Sequence, residues 1–77
     1  MFRAKLLAEV EGNNEVIGEV NKAIASEKVK LMGLKIFMVK NNLMRIKIEI
    51  DIKKLDQIPS IMEKIKEVPG VLGVIRG

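Results

Sequence analysis

The sequence predicts an α+β domain in which two helices cover one face of a four-stranded antiparallel sheet. Three observations predict this class. Apolar residues alternate with charged residues in two stretches of the chain, as they do in half-buried strands. The apolar spacing changes twice to that of a helix. Asn, Gly and Pro mark the boundaries between these segments.

The first strand and the first helix are separated by a change of period. Every second residue from Ala4 to Val10 is apolar, which predicts a strand, and Gly12-Asn13-Asn14 interrupts the pattern with turn-forming residues. Either asparagine is a suitable N-cap, and Glu15 lies near the positive end of the helix dipole. Gly18 within the helix predicts a close approach of helix to sheet. The apolar stripe of this helix consists of Val16, Ile17, Val20, Ala23, Ile24 and Val29.

The second and third strands are joined by a hairpin. Residues 31–39 are apolar on both faces apart from Gly33 and Lys35. Lys40-Asn41-Asn42-Leu43 predicts a tight turn, because Asn tolerates the left-handed backbone conformation that such turns require. From Met44 to Lys53, Met and Ile alternate with charged residues. The third strand therefore has one covered face and one face open to solvent.

The second helix and the last strand complete the domain. Asp56 is a plausible N-cap, which places Pro59 in the first turn, and Pro69-Gly70 ends the helix. A short strand follows from Val71 to Arg76. The resulting βαββαβ order, with right-handed crossovers, predicts a single ferredoxin-like domain over residues 1–77. The apolar face of the second helix consists of Ile58, Ile61, Met62, Ile65 and Val68.

The composition of the 77 residues argues against an enzyme. Cys, His, Thr, Tyr and Trp are all absent. Without Cys there is no disulfide, thiol nucleophile or thiolate zinc site, and without His the commonest general base is missing. We therefore expect no catalytic residues, no metal and no cofactor. The carboxylate pairs Glu9/Glu11 and Glu49/Asp51 are a candidate hard-cation site, but ion pairs with cations on neighbouring strands are favoured.

The charge pattern indicates which classes of partner the chain is suited to bind. The net charge of +4 comes from 14 cations interleaved with 10 anions, which is typical of a solvated surface. Nucleic-acid binding by a sheet of this topology normally uses aromatic residues that stack on bases, and Phe37, the one candidate here, is predicted to pack against other side chains instead. We therefore do not expect a nucleic-acid partner. No apolar stretch approaches the roughly 20 residues that span a membrane, and no signal segment precedes the first strand, so a cytoplasmic protein is expected.

The second strand predicts a partner. In a split βαβ order this strand lies at an edge of the sheet, where proteins usually place charges or irregularities. An edge strand that is apolar on both faces favours a second copy that covers it, although a wider core beneath a loop is an alternative. The sequence thus predicts a homodimer through the sheet edge. The expected interface residues are Met32, Leu34, Ile36, Phe37 and Met38.

Several segments resemble the ACT domain, in particular the one at the C-terminus of RelA/SpoT-type (p)ppGpp synthetase/hydrolases, the GTP pyrophosphokinases. Leu55-Asp56-Gln57-Ile58 and Val68-Pro69-Gly70-Val71, with Val74-Ile75-Arg76, resemble the last helix and strand of that domain. Ile24-Ala25-Ser26-Glu27-Lys28-Val29 and Arg45-Ile46-Lys47-Ile48-Glu49-Ile50 also fit the pattern. The resemblance covers about residues 3–76, and its most specific part is the ending around Pro69-Gly70.

The resemblance implies a regulatory module, which belongs to the stringent response if the parent is a GTP pyrophosphokinase. Such domains bind an amino acid or another small effector, usually at a dimer interface near the first strand–helix loop. A free-standing protein and a part of a larger enzyme both fit. The expected effector-binding residues are Gly12, Asn13, Asn14, Glu15, Val16 and Ile17.

The same loop departs from the family pattern, which commonly reads Asp-Arg-x-Gly-Leu-Leu. Here the Asp, the Arg and the Gly of that pattern are missing, and Lys30 stands where these domains often carry Asn. These departures favour an alternative function. In that alternative, the chain is a structural protein–protein interaction domain that docks onto a larger partner and binds no ligand.

Overall fold

The computed structural model describes residues 2–12 and 14–77. Its elements follow the predicted βαββαβ order. The four strands form one antiparallel sheet with the spatial order β2-β3-β1-β4. The predicted fold class is therefore confirmed. The elements are β1 (Phe2–Glu11), α1 (Asn14–Ala25), β2 (Lys30–Lys40), β3 (Leu43–Ile52), α2 (Gln57–Lys66) and β4 (Val71–Arg76).

The core lies between the helices and one face of the two central strands. β1 and β3 pair in antiparallel register, with Leu6 opposite Ile48 and Ala8 opposite Ile46. These four side chains are buried, as is every second residue from Ala4 to Val10 and from Met44 to Ile52. A buried Leu or Ile contributes roughly 1.5 to 3 kcal/mol through removal of apolar surface from water. The helices contribute Val20, Ile24, Ile58, Ile61 and Ile65 to this core.

The N-terminus of α2 differs in detail from its prediction. Asp56 occupies the N-cap position as expected, but its side chain makes no capping hydrogen bond. The side chain of Gln57 organises the turn instead, since its Oε1 accepts hydrogen bonds from the N–H groups of Lys53 at 2.9 Å and Lys54 at 3.1 Å. Pro59 lies in the first turn, as predicted.

Two predictions about α1 need correction. Gly18 is exposed, and a β carbon at this position would meet no atom within 4 Å, so the predicted close approach of helix to sheet is wrong. Val29 lies beyond the end of the helix at Ala25, although its side chain still packs against the core. Val20 and Ile24 are the buried residues of the helix.

The hairpin of β2 and β3 contains two irregularities. The turn is where the asparagine pair predicts it, and Asn42 adopts the left-handed conformation with a φ of 62°. The register with β3 shifts between Leu31 and Gly33 and again between Met38 and Lys40. Each shift adds one residue to β2, as in a β-bulge. The segment from Gly33 to Met38 pairs regularly between the two bulges.

Candidate functional site

The loop after β1 is packed tightly between two other connections. The N–H of Gly12 donates a hydrogen bond of 3.0 Å to the carbonyl oxygen of Asn42 in the β2–β3 turn. The N–H of Glu11 donates one of 2.7 Å to the carbonyl oxygen of Gly70, which precedes β4. A β carbon at Gly12 would lie 3.0 Å from Cγ2 of Val16. The loop therefore sits at the junction of three chain segments.

The predicted effector-binding residues have different environments. Asn14 begins α1 and is exposed, as is Glu15, whereas Val16 and Ile17 are half-buried and pack against the core. The N–H of Gly12 is already engaged by Asn42, and Asn13 lies outside the described residues. What faces solvent is therefore the first turn of α1, where the helix dipole places positive charge.

A shallow groove runs from this first turn along α1. Its volume is about 650 Å³. Glu19 and Lys22 lie on its wall, with the carboxylate oxygen and the ammonium nitrogen 3.6 Å apart. The groove therefore combines carboxylates with the positive end of a helix, two groups that complement the ammonium and the carboxylate of an amino acid. Its lining residues are Glu15, Val16, Gly18, Glu19, Lys22 and Pro69.

The outer strand β2 exposes most of its predicted interface residues. Ile36 and Met38 lie opposite Ile46 and Met44, which are buried beneath the helices. Nevertheless Ile36 is 43% exposed and Met38 is 69% exposed, since neither α1 nor α2 covers them fully. Met32 is exposed as well. The apolar layer of the domain thus continues to the sheet edge without a cover.

Two of the residues predicted for this edge, Leu34 and Phe37, differ from Ile36 and Met38 in burial or in the face on which they lie. Leu34 is partly buried and packs against the core, so less of it is available at the edge. Phe37 lies on the sheet face opposite the helices, is 47% exposed, and has the Nζ of Lys47 at 5.9 Å from its ring centroid. Phe37 therefore lies on the opposite face of the edge strand from Ile36 and Met38.

Ion pairs connect the strands on the open face of the sheet. Arg3 Nε donates to Asp51 Oδ1 at 3.1 Å, and Arg3 Nη1 lies 3.6 Å from Glu49 Oε2. Arg45 Nε lies 3.5 Å from Glu9 Oε2. The hydrogen bond and the charge of Asp51 raise the pKa of Arg3 above its ordinary value. The predicted cross-strand pairing is confirmed for three of the four carboxylates considered as cation ligands.

Residues 2–12 and 14–77 contain neither a carboxylate cluster suited to a metal ion nor a membrane-spanning helix. No group of three or more Asp and Glu side chains there is arranged to hold a metal ion. No helix in this part of the chain is long and apolar enough to cross a membrane.

Sequence reasoning did not identify a group of lysines on the open face. Lys35 of β2 lies directly opposite Lys47 of β3, and Lys5 of β1 lies one row away, opposite Glu49. The alternation in β1 and β3 is a signal that puts Lys5 and Lys47 on one face. The position of Lys35 depends on the bulge at Val39, for which the sequence carries no clear mark.

Solved structures with the same fold include parts of enzymes. The crystal structure of the ACT domain from GTP pyrophosphokinase of Chlorobium tepidum matches with a TM-score of 0.86 and 21% identity, over 99% of this chain and 97% of that one. The C-terminal domain of MgtC from Mycobacterium tuberculosis matches with a TM-score of 0.73 and 11% identity, over 97% of this chain and 86% of that one. A homoserine dehydrogenase from Thiobacillus denitrificans gives 0.70 and 14%, over 97% of this chain and 17% of that one. At these identities the similarity is one of fold.

The sequence comparison agrees with the structural one. No curated protein matches the chain. The family model for the ACT domain, however, matches residues 1–76. The resemblance seen in the last helix and strand, around Pro69-Gly70, is thereby confirmed over almost the whole chain. This protein belongs to the ACT domain family.

Proposed function

We propose that residues 1–77 form a single, non-catalytic regulatory domain that pairs with a second copy through the outer edge of β2. We further propose that the pair binds a small effector of the amino-acid class beside the β1–α1 loop. The observation that carries the proposal is the exposure of Ile36 and Met38, at 43% and 69%, on the helix side of the sheet. The similar ACT domain from a GTP pyrophosphokinase supports an enzyme of that class as the parent, and hence a role in the stringent response.

The edge of β2 suits a second copy of itself. The two bulges of β2 bracket a regular stretch from Gly33 to Met38, in which backbone N–H and C=O groups on the outer side lack a neighbouring strand. Antiparallel pairing of two such stretches satisfies these groups and joins two sheets into one of eight strands. A two-fold axis accomplishes this because the same surface serves both partners.

The lysines of β2 select the register of that pairing. A two-fold axis normal to the sheet keeps each side chain on its own face, so the pairing centres on one residue. Centring on Lys35 would place this lysine against its own copy, and like charges in directly opposite positions are destabilising. Centring on Ile36 instead brings Leu34 against Met38 and Lys35 against Phe37. We propose the pairing centred on Ile36, because it buries the exposed side chains of Ile36 and Met38 against those of the second copy.

A cysteine cross-link tests both the pairing and its register. The chain has no Cys, so Ile36→Cys introduces the sole thiol. Opposite residues in antiparallel strands have α carbons about 4.5 to 5.5 Å apart, within the range that a disulfide bridges. Under mild oxidation Ile36→Cys should form a covalent dimer rapidly. The matched control is Leu55→Cys, which is 56% exposed outside the sheet. Equal cross-linking rates for the two variants would contradict the proposed register.

Charge substitution tests the pairing by a second route. The double variant Ile36→Lys/Met38→Lys should remain folded, because both side chains are exposed, and should sediment as a monomer at concentrations where the parent chain is a dimer. Leu72→Lys/Ile75→Lys adds the same charge at apolar positions that are 55% and 60% exposed. This control should remain dimeric. A parent chain that is monomeric at all concentrations would refute the pairing.

The effector part of the proposal rests on the groove along α1. The first turn at Asn14 offers a positive helix end for the carboxylate of an amino acid, and Glu19 offers a partner for its ammonium group. An amide NMR titration with the common amino acids should give saturable shifts confined to residues 12–22. Glu19→Gln should weaken this binding, whereas Glu63→Gln on α2 should leave it unchanged.

A specific observation favours the alternative of an interaction domain without a ligand. The N–H of Gly12 is bound by Asn42, and Val16 packs against the core, so part of the predicted loop is committed to the fold. The same titration distinguishes the two functions. Amide shifts along residues 31–39 that change only with protein concentration, with no saturable shift in residues 12–22, would favour the interaction domain.

A further inference from the structure

The open face of the sheet carries an unbalanced group of lysines, which we call the lysine triad: Lys5, Lys35 and Lys47. Lys35 and Lys47 lie directly opposite each other on neighbouring strands. Lys5 lies one row away, opposite Glu49. Like charges in directly opposite positions of a sheet destabilise it, and an anion beside the pair lowers that repulsion.

The nearby carboxylates are already paired with arginines. Arg3 contacts both Asp51 and Glu49, and Arg45 contacts Glu9. Within residues 2–12 and 14–77, no member of the lysine triad forms an ion pair, and the ammonium group of Lys47 lies over the ring of Phe37. Three ammonium groups therefore border an area of surface whose lining carboxylate, that of Glu49, already contacts Arg3.

A depression lies between the members of the triad. Its volume is about 480 Å³, and it is lined by all three lysines together with Glu49. Gly33 and Gly77 also line it and leave space where side chains would otherwise stand. A β carbon at Gly33 would lie 3.8 Å from Cβ of Glu49, an ordinary contact, so close packing does not require glycine there. The absence of a side chain at Gly33 keeps the depression open beside Lys35.

We propose that the lysine triad binds a small anion with two linked phosphate groups. Lysine is a common phosphate ligand that acts as a mobile point charge. Three strands and two rows of side chains span about 10 by 7 Å, a size that suits a diphosphate. The paired carboxylates Glu9 and Asp51 limit the basic area at its two ends. This boundary favours a small ligand over a nucleic-acid strand, which needs a longer basic path.

Inorganic pyrophosphate is the probe that tests the site. An amide NMR titration of the 77-residue chain, at constant ionic strength, should give saturable shifts at Lys5, Gly33, Lys35, Lys47 and Gly77. A nucleoside diphosphate in a parallel titration identifies the source of the phosphate groups. Tighter binding with added shifts at Phe37 indicates a phosphate ester with a ring, whereas equal binding indicates an inorganic diphosphate. Either result supports the site.

Matched variants separate a site from general charge. Lys5→Gln/Lys35→Gln/Lys47→Gln should weaken pyrophosphate binding at least tenfold, since charge-assisted hydrogen bonds are lost. Lys53→Gln/Lys54→Gln/Lys64→Gln removes the same charge elsewhere and should change binding less than twofold. Equal weakening in the two triple variants, or shifts that do not saturate, would overturn the proposal. So would binding of a single-stranded RNA oligonucleotide with a steep salt dependence when pyrophosphate does not bind.

Discussion

The carbonyl oxygen of Gly70 accepts a hydrogen bond of 2.7 Å from the N–H of Glu11, so the connection before β4 is held against the end of β1. Gly70 has a φ of +100°. A β carbon at this position would lie 2.7 Å from the carbonyl oxygen of Glu11 and 2.9 Å from Cγ2 of Val16. Glycine is therefore needed here for two reasons, the backbone conformation and the lack of space.

Gly70→Ala should lower the free energy of unfolding by about 2 to 4 kcal/mol, because a strained backbone and an overpacked contact are both costly. Urea denaturation followed by circular dichroism measures the change. The β4 amides should also exchange faster with solvent than in the parent chain, since this connection positions β4. A loss below about 0.5 kcal/mol would mean that the chain relaxes around the new methyl group more easily than the contacts indicate.

Gly18→Ala should have the opposite effect. Gly18 lies inside α1, is exposed, and has no atom within 4 Å of the place where a β carbon would stand. Alanine at an exposed helix position is favoured over glycine by up to about 1 kcal/mol. The free energy of unfolding should therefore rise by about 0.5 to 1 kcal/mol, as measured in the same urea experiment. A decrease would indicate that Gly18 faces a neighbour after all.

The fold could be predicted because its signals are local. In β3, Met and Ile alternate strictly with charged residues, and Asn42 supplies the left-handed turn conformation. The prediction for Gly18 was wrong because a glycine in a helix has two explanations: it allows close packing, or the helix simply tolerates it. The sequence does not distinguish them. The close approach that needs glycine occurs at Gly70, where the sequence indicates merely the end of a helix.

The candidate sites were predicted less completely because they depend on register. A hairpin closed by Lys40 and Leu43 without a bulge would place Lys35 opposite Ile48. The additional residue at Val39 places it opposite Lys47, and the lysine triad follows from that shift. Bulges are determined by tertiary packing as much as by local sequence. The face on which Phe37 lies could not be predicted for a similar reason, because an apolar edge strand gives no alternation from which to choose it.

Substitution of Ile46 and Ile36 should distinguish the core from the edge. These residues lie opposite each other, yet Ile46 is fully buried and Ile36 is 43% exposed. Ile46→Ala should lower the free energy of unfolding by about 2 to 5 kcal/mol, since it leaves a cavity. Ile36→Ala should cost less than about 1 kcal/mol when measured at low protein concentration, where pairing does not contribute. Similar losses for both would place the edge of β2 in the core of a single copy.

Lys35→Glu should stabilise the fold by replacing a like-charge pair with an opposite-charge pair. Lys35 lies directly opposite Lys47, and the nearest carboxylate, Glu49, is diagonal to it and already contacts Arg3. Cross-strand pairs of opposite charge contribute roughly 0.2 to 1 kcal/mol. This gain in the free energy of unfolding should shrink between 0.05 and 1 M salt, roughly as the screening length falls.

Lys53→Glu, outside the sheet, controls for net charge and should raise the free energy of unfolding less. Urea denaturation at both salt concentrations measures these changes. A destabilised Lys35→Glu, with Lys53→Glu unchanged, would show that Lys35 and Lys47 do not repel each other.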